Sequence, residues 1–343
     1  MKITTVGIDL AKNVIQVHGV DERGKAVLKK PLKRSQVLAF FANLPPCLIG
    51  LEACASAHYW ARKLQSYGHT VKLMAPQLVK PYVKTNKNDM ADAEAICEAV
   101  SRPTMRFVPV KSAAQQAVLA LHRARQGFVK ARTARANQIR GLLAEYGIVI
   151  PQGIGHIARR LPDILEDGEN DLPGMFRELL QRLGDHLKEL DRQVGELEGQ
   201  IQSWHRENEA SKRLAQIPGI GPITASALVA SIGEAKSFDN ARQLAAWLGL
   251  VPRQHSSGGK QVLLGMSKRG DSYLRTLLIH GARAVIRVAA GKAGHAHSWL
   301  ARLMGRRNPN VAAVALANKN ARMVWALLAH NRDYQADYEP TAP

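Results

Sequence analysis

Cysteine is scarce. Cys47, Cys54 and Cys97 are the only three in 343 residues, and no two form a CxxC pair. That excludes a disulfide framework and a zinc ribbon, and it fits a reducing compartment. Aromatic residues are 5% of the chain, too few to make base-stacking platforms the obvious way of holding nucleic acid. Backbone contacts are the expected mode instead. Acids are the minority charge: 28 Asp and Glu stand against 48 Lys and Arg, a formal net charge of 48 − 28 = +20. An excess of that size favours a polyanion partner, DNA or RNA, over a merely basic soluble enzyme. No apolar run approaches a membrane span, so no membrane partner is expected. The opening "MKITTVGIDL" runs into a strand pattern rather than a signal peptide, and a cytoplasmic location is expected. No GxxxxGK[ST] loop and no repeat of 20 to 50 residues occurs.

What is present falls into three stretches. Over about residues 1–105, β-branched runs read as strands: "ITTVGIDL", "NVIQVHGV", "AVLKK", "CLIGLEA" and "HTVKLM". Helical patterns interleave, "SQVLAFFANL" with Ser35 as its expected cap and "HYWARKLQSYG" stopped by Gly68. Strands followed by strand–helix alternation predict a mixed α/β domain. Residues 106–205 read as helical. A long basic helix carries Arg123, Arg125, Lys130, Arg132, Arg135 and Arg140 and ends near Gly147 and Pro151. It is either a nucleic-acid contact or an ordinary solvated face. After "EDGEND" comes a heptad seam: Leu180, Leu183, Leu187, Leu190, Val194, Leu197, Ile201 and Trp204. Spacings alternating 3 and 4 predict a coiled coil, with the preceding helix or another copy as partner, or a helix packed on its own domain core. Residues 206–343 read as a third, mostly helical unit.

The acids are the informative minority. "NKNDMADAEA" packs Asp89, Asp92 and Glu94 together. Asp89 can cap a helix with Asp92 closing a capping box. Asp9 and Glu52, however, each end an apolar strand, where a carboxylate is costly unless it is paired or binds a cation. Asp89 and Asp92, spaced i, i+3, share one helix face. Four such carboxylates could converge on an oxygen-rich site for Mg²⁺ or Mn²⁺. Two divalent ions there would polarise a phosphodiester.

Two further stretches carry phosphate chemistry. In "IPGIGPITASALVASIG", Gly219 and Gly221 make a tight turn into a helix at about Pro222, with backbone N–H groups suited to a phosphate. The bland alternative is a Gly-Pro turn between core helices. In "GLVPRQHSSGGKQVLLGMSKRGDSYLRTLL", a flexible loop presents Ser256 and Ser257 among Lys260, Lys268, Arg269 and Arg275. The residues alone allow a polar loop that merely binds phosphate; no triad base stands out, His255 included.

"GIDLAK", "LEA" and "NDMADA", in that order, resemble the acidic tetrad of DEDD transposases. These are insertion-sequence recombinases related to the pilin-gene inverting protein, with a RuvC-like catalytic domain. The resemblance implies an RNase H-like fold for the first domain, and it carries the tetrad onto Asp9, Glu52, Asp89 and Asp92, leaving Glu94 outside. "GLVPRQHSSGGK" followed by "SKRGDSYLRTLL" is similar to the second signature of that family. There it implies a serine that attacks DNA and becomes a covalent phosphoserine: Ser257, with Ser256 its near neighbour. The "GIGP" turn resembles one hairpin of a helix-hairpin-helix element. The family also implies a bacterial host, donor and target DNA as substrates, a structured non-coding guide RNA, and a homo-oligomer, dimer or tetramer. On this reading the first and third domains must meet, within one chain or across two. The alternatives are a hydrolytic junction endonuclease, in which Ser257 is incidental, and a non-enzymatic architectural binder.

Overall fold

The computed structural model describes residues 2–84, 88–289 and 299–336. The chain divides into two compact units, Met1–Ala114 and Gln115–Pro343.

The first unit is built on six strands: β1 (Thr5–Asp9), β2 (Val14–Val20), β3 (Ala26–Lys33), β4 (Leu48–Glu52), β5 (Thr70–Met74) and β6 (Phe107–Val108). Their order is β3-β2-β1-β4-β5-β6. β1 and β2 are antiparallel, as are β2 and β3, whereas β4 pairs parallel to β1 and β5 parallel to β4. This is the mixed α/β domain expected from the sequence, and its strand order is compatible with an RNase H-like sheet. It is accompanied by the helices α1 (Val37–Ala42), α2 (Ala57–Gln65), α3 (Pro76–Val79) and α4 (Asp89–Val100). Alternation sorts the central strands. Val6, Ile8, Ile49 and Leu51 are buried with Val37 and Phe41 of α1 and Trp60 and Leu64 of α2. The opposite face carries Gly7 and Gly50, paired in register, and lies beneath α4.

Those two glycines set how close α4 can come. A Cβ at Gly7 would stand 2.2 Å from the Ala93 carbonyl oxygen and 2.3 Å from the Cys97 nitrogen, both backbone atoms. One at Gly50 would stand 2.8 Å from Cβ of Val100. Only glycine admits a helix at that distance. The buried Ala95, Ile96, Ala99 and Val100 then close a small core with Met74 and Val79. Ser35 does not cap α1: it lies inside a 3₁₀ turn, Arg34–Gln36, in which the Gln36 side chain accepts the Lys33 N–H at 2.9 Å.

The second unit is mostly helical: α5 (Ala113–Ala144), α6 (Ile154–Glu166), α7 (Gly174–Glu207), α8 (Glu209–Leu214), α9 (Pro222–Ile232), α10 (Ala241–Trp247), α11 (Ser272–Ala289), α12 (Trp299–Met304) and α13 (Pro309–His330). A two-stranded hairpin, β7 (Pro252–Gln254) and β8 (Leu263–Met266), interrupts them. α5 and α7 run antiparallel, tied by Arg125–Glu198 at 2.5 Å and by an Arg132–Asp191 pair further along. The heptad seam faces inward within the chain. Leu180, Leu183 and Leu187 are buried with Ile139 and Leu143 of α5 and Ile157 and Leu161 of α6. α6 had no counterpart in the sequence reading, although Ile154, Ile157, Leu161 and Ile164 repeat at 3, 4 and 3. A last core joins α8 to α11 and α13 through Leu214, Leu228, Leu244, Leu278, Ala317 and Val324. Among the described residues, no helix is long and apolar enough to cross a membrane.

Candidate active site

Three of the carboxylates meet at the C-terminal end of β1, and the fourth, Glu52, ends the neighbouring β4. Asp9 is the last residue of β1 and Glu52 the last of β4. Each follows its strand's glycine by two positions, so alternation turns both toward the α4 side. α4 does not begin with an Asp cap. Asn88 is the N-cap, its Oδ1 accepting the Ala91 N–H at 2.8 Å. The capping-box reading of Asp89 and Asp92 is therefore replaced. Both sit in the first helical turn, where the helix dipole favours anions.

Asp9, Asp89 and Asp92 each offer a carboxylate oxygen, and these oxygens lie within 4.8 Å of one another. Asp9 and Asp92 are half-buried and Asp89 is exposed. Glu52 is not in that group. It borders the same region: the Cys54 thiol is pushed up by burial and then by the Glu52 and Asp9 carboxylates. Three converging carboxylates repel one another, and an all-oxygen donor set suits a hard divalent cation. Glu94 is outside that group; burial lowers the pKa of His18, and the charge of Glu94 opposes the shift.

The serines stand on the β7–β8 hairpin, not on a flexible loop. Ser257 and Lys260 form a β-bridge, with the Lys260 N–H donating to the Ser257 carbonyl at 3.0 Å. Gly258 and Gly259 between them have φ of +55° and +77°. Positive φ at both central residues is the tight hairpin turn that Gly-Gly favours. The two hydroxyls differ. Ser256 Oγ accepts from Gln254 Nε2 at 3.0 Å and from the Val262 N–H at 3.2 Å, bracing the hairpin. Ser257 is exposed at the turn, and among the described residues its hydroxyl has no hydrogen-bond partner.

A family model described as a transposase of the DEDD, IS110 type matches residues 6–148. A second, described as "Transposase IS116/IS110/IS902 family", matches residues 211–297. The chain is 55% identical to a probable family 20 transposase of Pseudomonas aeruginosa, over 98% of this chain and 99% of that one. The chain belongs to the IS110/IS116 family of transposases. It is therefore a DNA-cutting and rejoining enzyme. It is also 45% identical to the transposase for insertion sequence element IS1111A of Coxiella burnetii, over 97% of this chain and 92% of that one. With the pilin gene-inverting protein of Moraxella bovis it shares 30% identity over 45% of this chain and 47% of that protein.

The transposase's other candidate residues divide by what they touch. Gly221 is the exposed N-cap of α9, followed by Pro222 at the first helical position. Gly219, at φ +87°, packs against α11: a Cβ would lie 2.8 Å from the Gly281 carbonyl oxygen. Lys260, Lys268 and Arg269 are exposed. The Lys268 N–H donates to the Gly249 carbonyl at 3.2 Å. Arg275 turns inward, donating to the carbonyls of Leu248 at 3.2 Å and Gly270 at 3.5 Å. The basic face of α5 is partly engaged within the chain. Besides Arg125 and Arg132, Arg135 reaches His186 at 3.0 Å and Arg140 the Gly153 carbonyl at 2.9 Å. Arg123 and Lys130 remain exposed.

A buried polar relay escaped the sequence reading. His122 on α5 is 1% exposed. Its Nδ1 lies 3.0 Å from the Tyr273 hydroxyl and its Nε2 3.1 Å from Ser226 Oγ. Ser226 donates to the Pro222 carbonyl at 2.7 Å. Ser226 therefore accepts from Nε2–H, and Nδ1 accepts from Tyr273. Burial, then the nearby Arg125, pushes the His122 pKa down to about 4, so the ring is neutral at pH 7. A histidine within a basic helix gives no sequence signal of this kind, because its partners come from α9 and α11.

Proposed function

We propose that this transposase breaks and rejoins DNA through a covalent phosphoserine at Ser257, with Asp9, Glu52, Asp89 and Asp92 as its catalytic acids. The single observation that carries the reading is the convergence of the Asp9, Asp89 and Asp92 oxygens within 4.8 Å in a DNA-processing enzyme. These acids would hold Mg²⁺ or Mn²⁺, which when bound supplies charge stabilisation for the phosphodiester and its leaving oxygen. Glu52 completes the tetrad from the neighbouring strand end.

Ser257 Oγ attacks the phosphorus. An Oγ–P bond forms as one P–O(deoxyribose) bond breaks; the serine proton passes to solvent or to a carboxylate, and the departing deoxyribose oxygen takes up a proton and is left as a free hydroxyl. Rejoining reverses the step: a deoxyribose hydroxyl attacks the phosphoserine, the new phosphodiester forms and Ser257 leaves. Phosphoester bonds are conserved, so no nucleotide triphosphate is needed. Acids and serine are required together, from one chain or from two copies, and a homo-oligomer handling two DNA ends suits that requirement. The division of labour follows three segments: acids in 1–105, a helical basic segment in 106–205, and serine and phosphate contacts in 206–343. In the last, Gly219, Gly221, Lys260, Lys268 and Arg269 would track the backbone, with Arg275 holding the turn beneath them. A structured non-coding RNA that pairs with donor and target DNA would supply sequence choice. The net charge of +20 supports that reading.

The test is an adduct assay with cognate DNA and Mg²⁺. A protein–DNA species that survives boiling in detergent, and that Ser257→Ala abolishes, is expected. Clean product ends without an adduct would instead identify a hydrolytic endonuclease.

A further inference from the structure

A groove of about 850 Å³ opens in the first unit, at the same end of the sheet as Asp9 and Glu52. Its walls continue directly from the strands that carry those acids. From Asp9 the chain turns into Asn13 at the start of β2, and from Glu52 it passes into α2 with Tyr59 and Trp60. The far wall is Lys33 and Arg34, where β3 ends.

The lining has an uncommon make-up for this chain. The Arg34 guanidinium lies over the Trp60 ring at 5.0 Å from its centroid. Trp60 is itself buried, and among the described residues its indole N–H has no hydrogen-bond partner. Tyr59 meets Trp60 edge-on, ring centroids 5.2 Å apart, and is 40% exposed. Arg34 is itself exposed on its other side, and the partly exposed tyrosine ring stands nearby. Asn13 adds an exposed amide, able to donate and accept. Lys33 and Arg34 add positive charge, and among the described residues no acid lines the groove.

We infer that this groove takes an unpaired nucleobase of a single strand passing over the end of the sheet. The base would stack on the exposed Tyr59 ring, Arg34 and Asn13 would meet its edge, and Lys33 would meet its phosphate. Unpaired bases are held in this way, stacked on an aromatic ring with their edges hydrogen-bonded, whereas a base inside a duplex cannot reach such a platform. Both DNA and RNA carry this chemistry. The inference uses neither Ser257 nor a bound metal.

The full-length protein is tested, with a chelator present, against a short single-stranded DNA, the same sequence as RNA, and a fully paired duplex. The single strands carry 2-aminopurine, whose fluorescence falls on stacking. Tyr59→Ala and Arg34→Gln should each weaken single-strand binding about tenfold and restore the fluorescence, while Tyr59→Phe stays within about twofold. Lys33→Gln should lower the salt slope by about 0.7. A tighter RNA arm would put a guide strand in the groove, and a tighter DNA arm a substrate strand. Photo-crosslinking of the unaltered protein by an iodouracil strand should mark the Ala57–Gln65 helix, independently of how any variant folds. Unchanged affinity in Tyr59→Ala and Arg34→Gln, or an equal loss on the paired duplex, would overturn the inference.

Discussion

Gly7 and Ala93 touch backbone to backbone: a Cβ on the glycine would stand 2.2 Å from the alanine's carbonyl oxygen. That contact lays α4 on β1 and brings Asp89 and Asp92 to Asp9. Gly7→Ala has no flexible side chain to displace, so α4 itself must move. We expect a loss of about 3 kcal/mol or more in urea unfolding, together with loss of activity. Gly24→Ala is the contrast. Gly24 has φ +76° with nothing within 4 Å of a Cβ, and a loss of about 1 kcal/mol is expected there.

The acid cluster predicts opposite effects on stability and activity. Asp92→Asn removes a negative charge from a set of three, so in chelator the variant should melt no lower than the parent. Mg²⁺ or Mn²⁺ should raise the melting temperature of the parent and leave that of Asp92→Asn nearly unchanged. Strand transfer should fall by at least about a hundredfold. An identical metal-induced shift in both proteins would count against the cluster as a metal site.

The two adjacent serines should separate cleanly. Ser256→Ala removes the acceptor for Gln254 and for the Val262 N–H. It should loosen the hairpin by about 1 kcal/mol, slow the reaction and leave the DNA adduct detectable. Ser257→Ala should leave the melting temperature unchanged and remove the adduct. An adduct that persists in Ser257→Ala and vanishes in Ser256→Ala would reverse the assignment.

His122 predicts a pH window. Its folded pKa, about 4, lies below its ordinary value of 6.5. Between those values the unfolded chain takes up a proton that the folded ring refuses, so stability falls as the pH falls. The full effect is about 3 kcal/mol. His122→Gln should be less stable than the parent at pH 7, through weaker hydrogen bonds to Tyr273 and Ser226. Most of that deficit should disappear by pH 4. Paired urea titrations at the two pH values measure it.

Much of this was legible in the residues. β-branched runs marked the strands of the first unit, and a carboxylate at the end of an apolar strand marked Asp9 and Glu52, because its burial has a cost that something must offset. The heptad in α7 was legible too, but periodicity reports an apolar stripe and not what covers it; here α5 and α6 contribute the cover. Asp89 was a plausible cap by residue type, but Asn88, one residue earlier, is as good a cap and takes the position. The β7–β8 hairpin was obscured by its short, exposed strands, which lack an alternating apolar face. The groove beside Arg34 was invisible for a different reason. A low aromatic count describes the whole chain, whereas a binding surface needs one ring in one place.

The pairing of α5 with α7 has a consequence for engineering. Arg125 and Arg132 are held by Glu198 and Asp191, so part of the helix's positive charge is latent. Neutralising an acid on α7 would release an arginine without adding any cation. A tighter-binding variant could thus be reached by subtraction, and its extra grip would reveal itself as a steeper dependence on ionic strength.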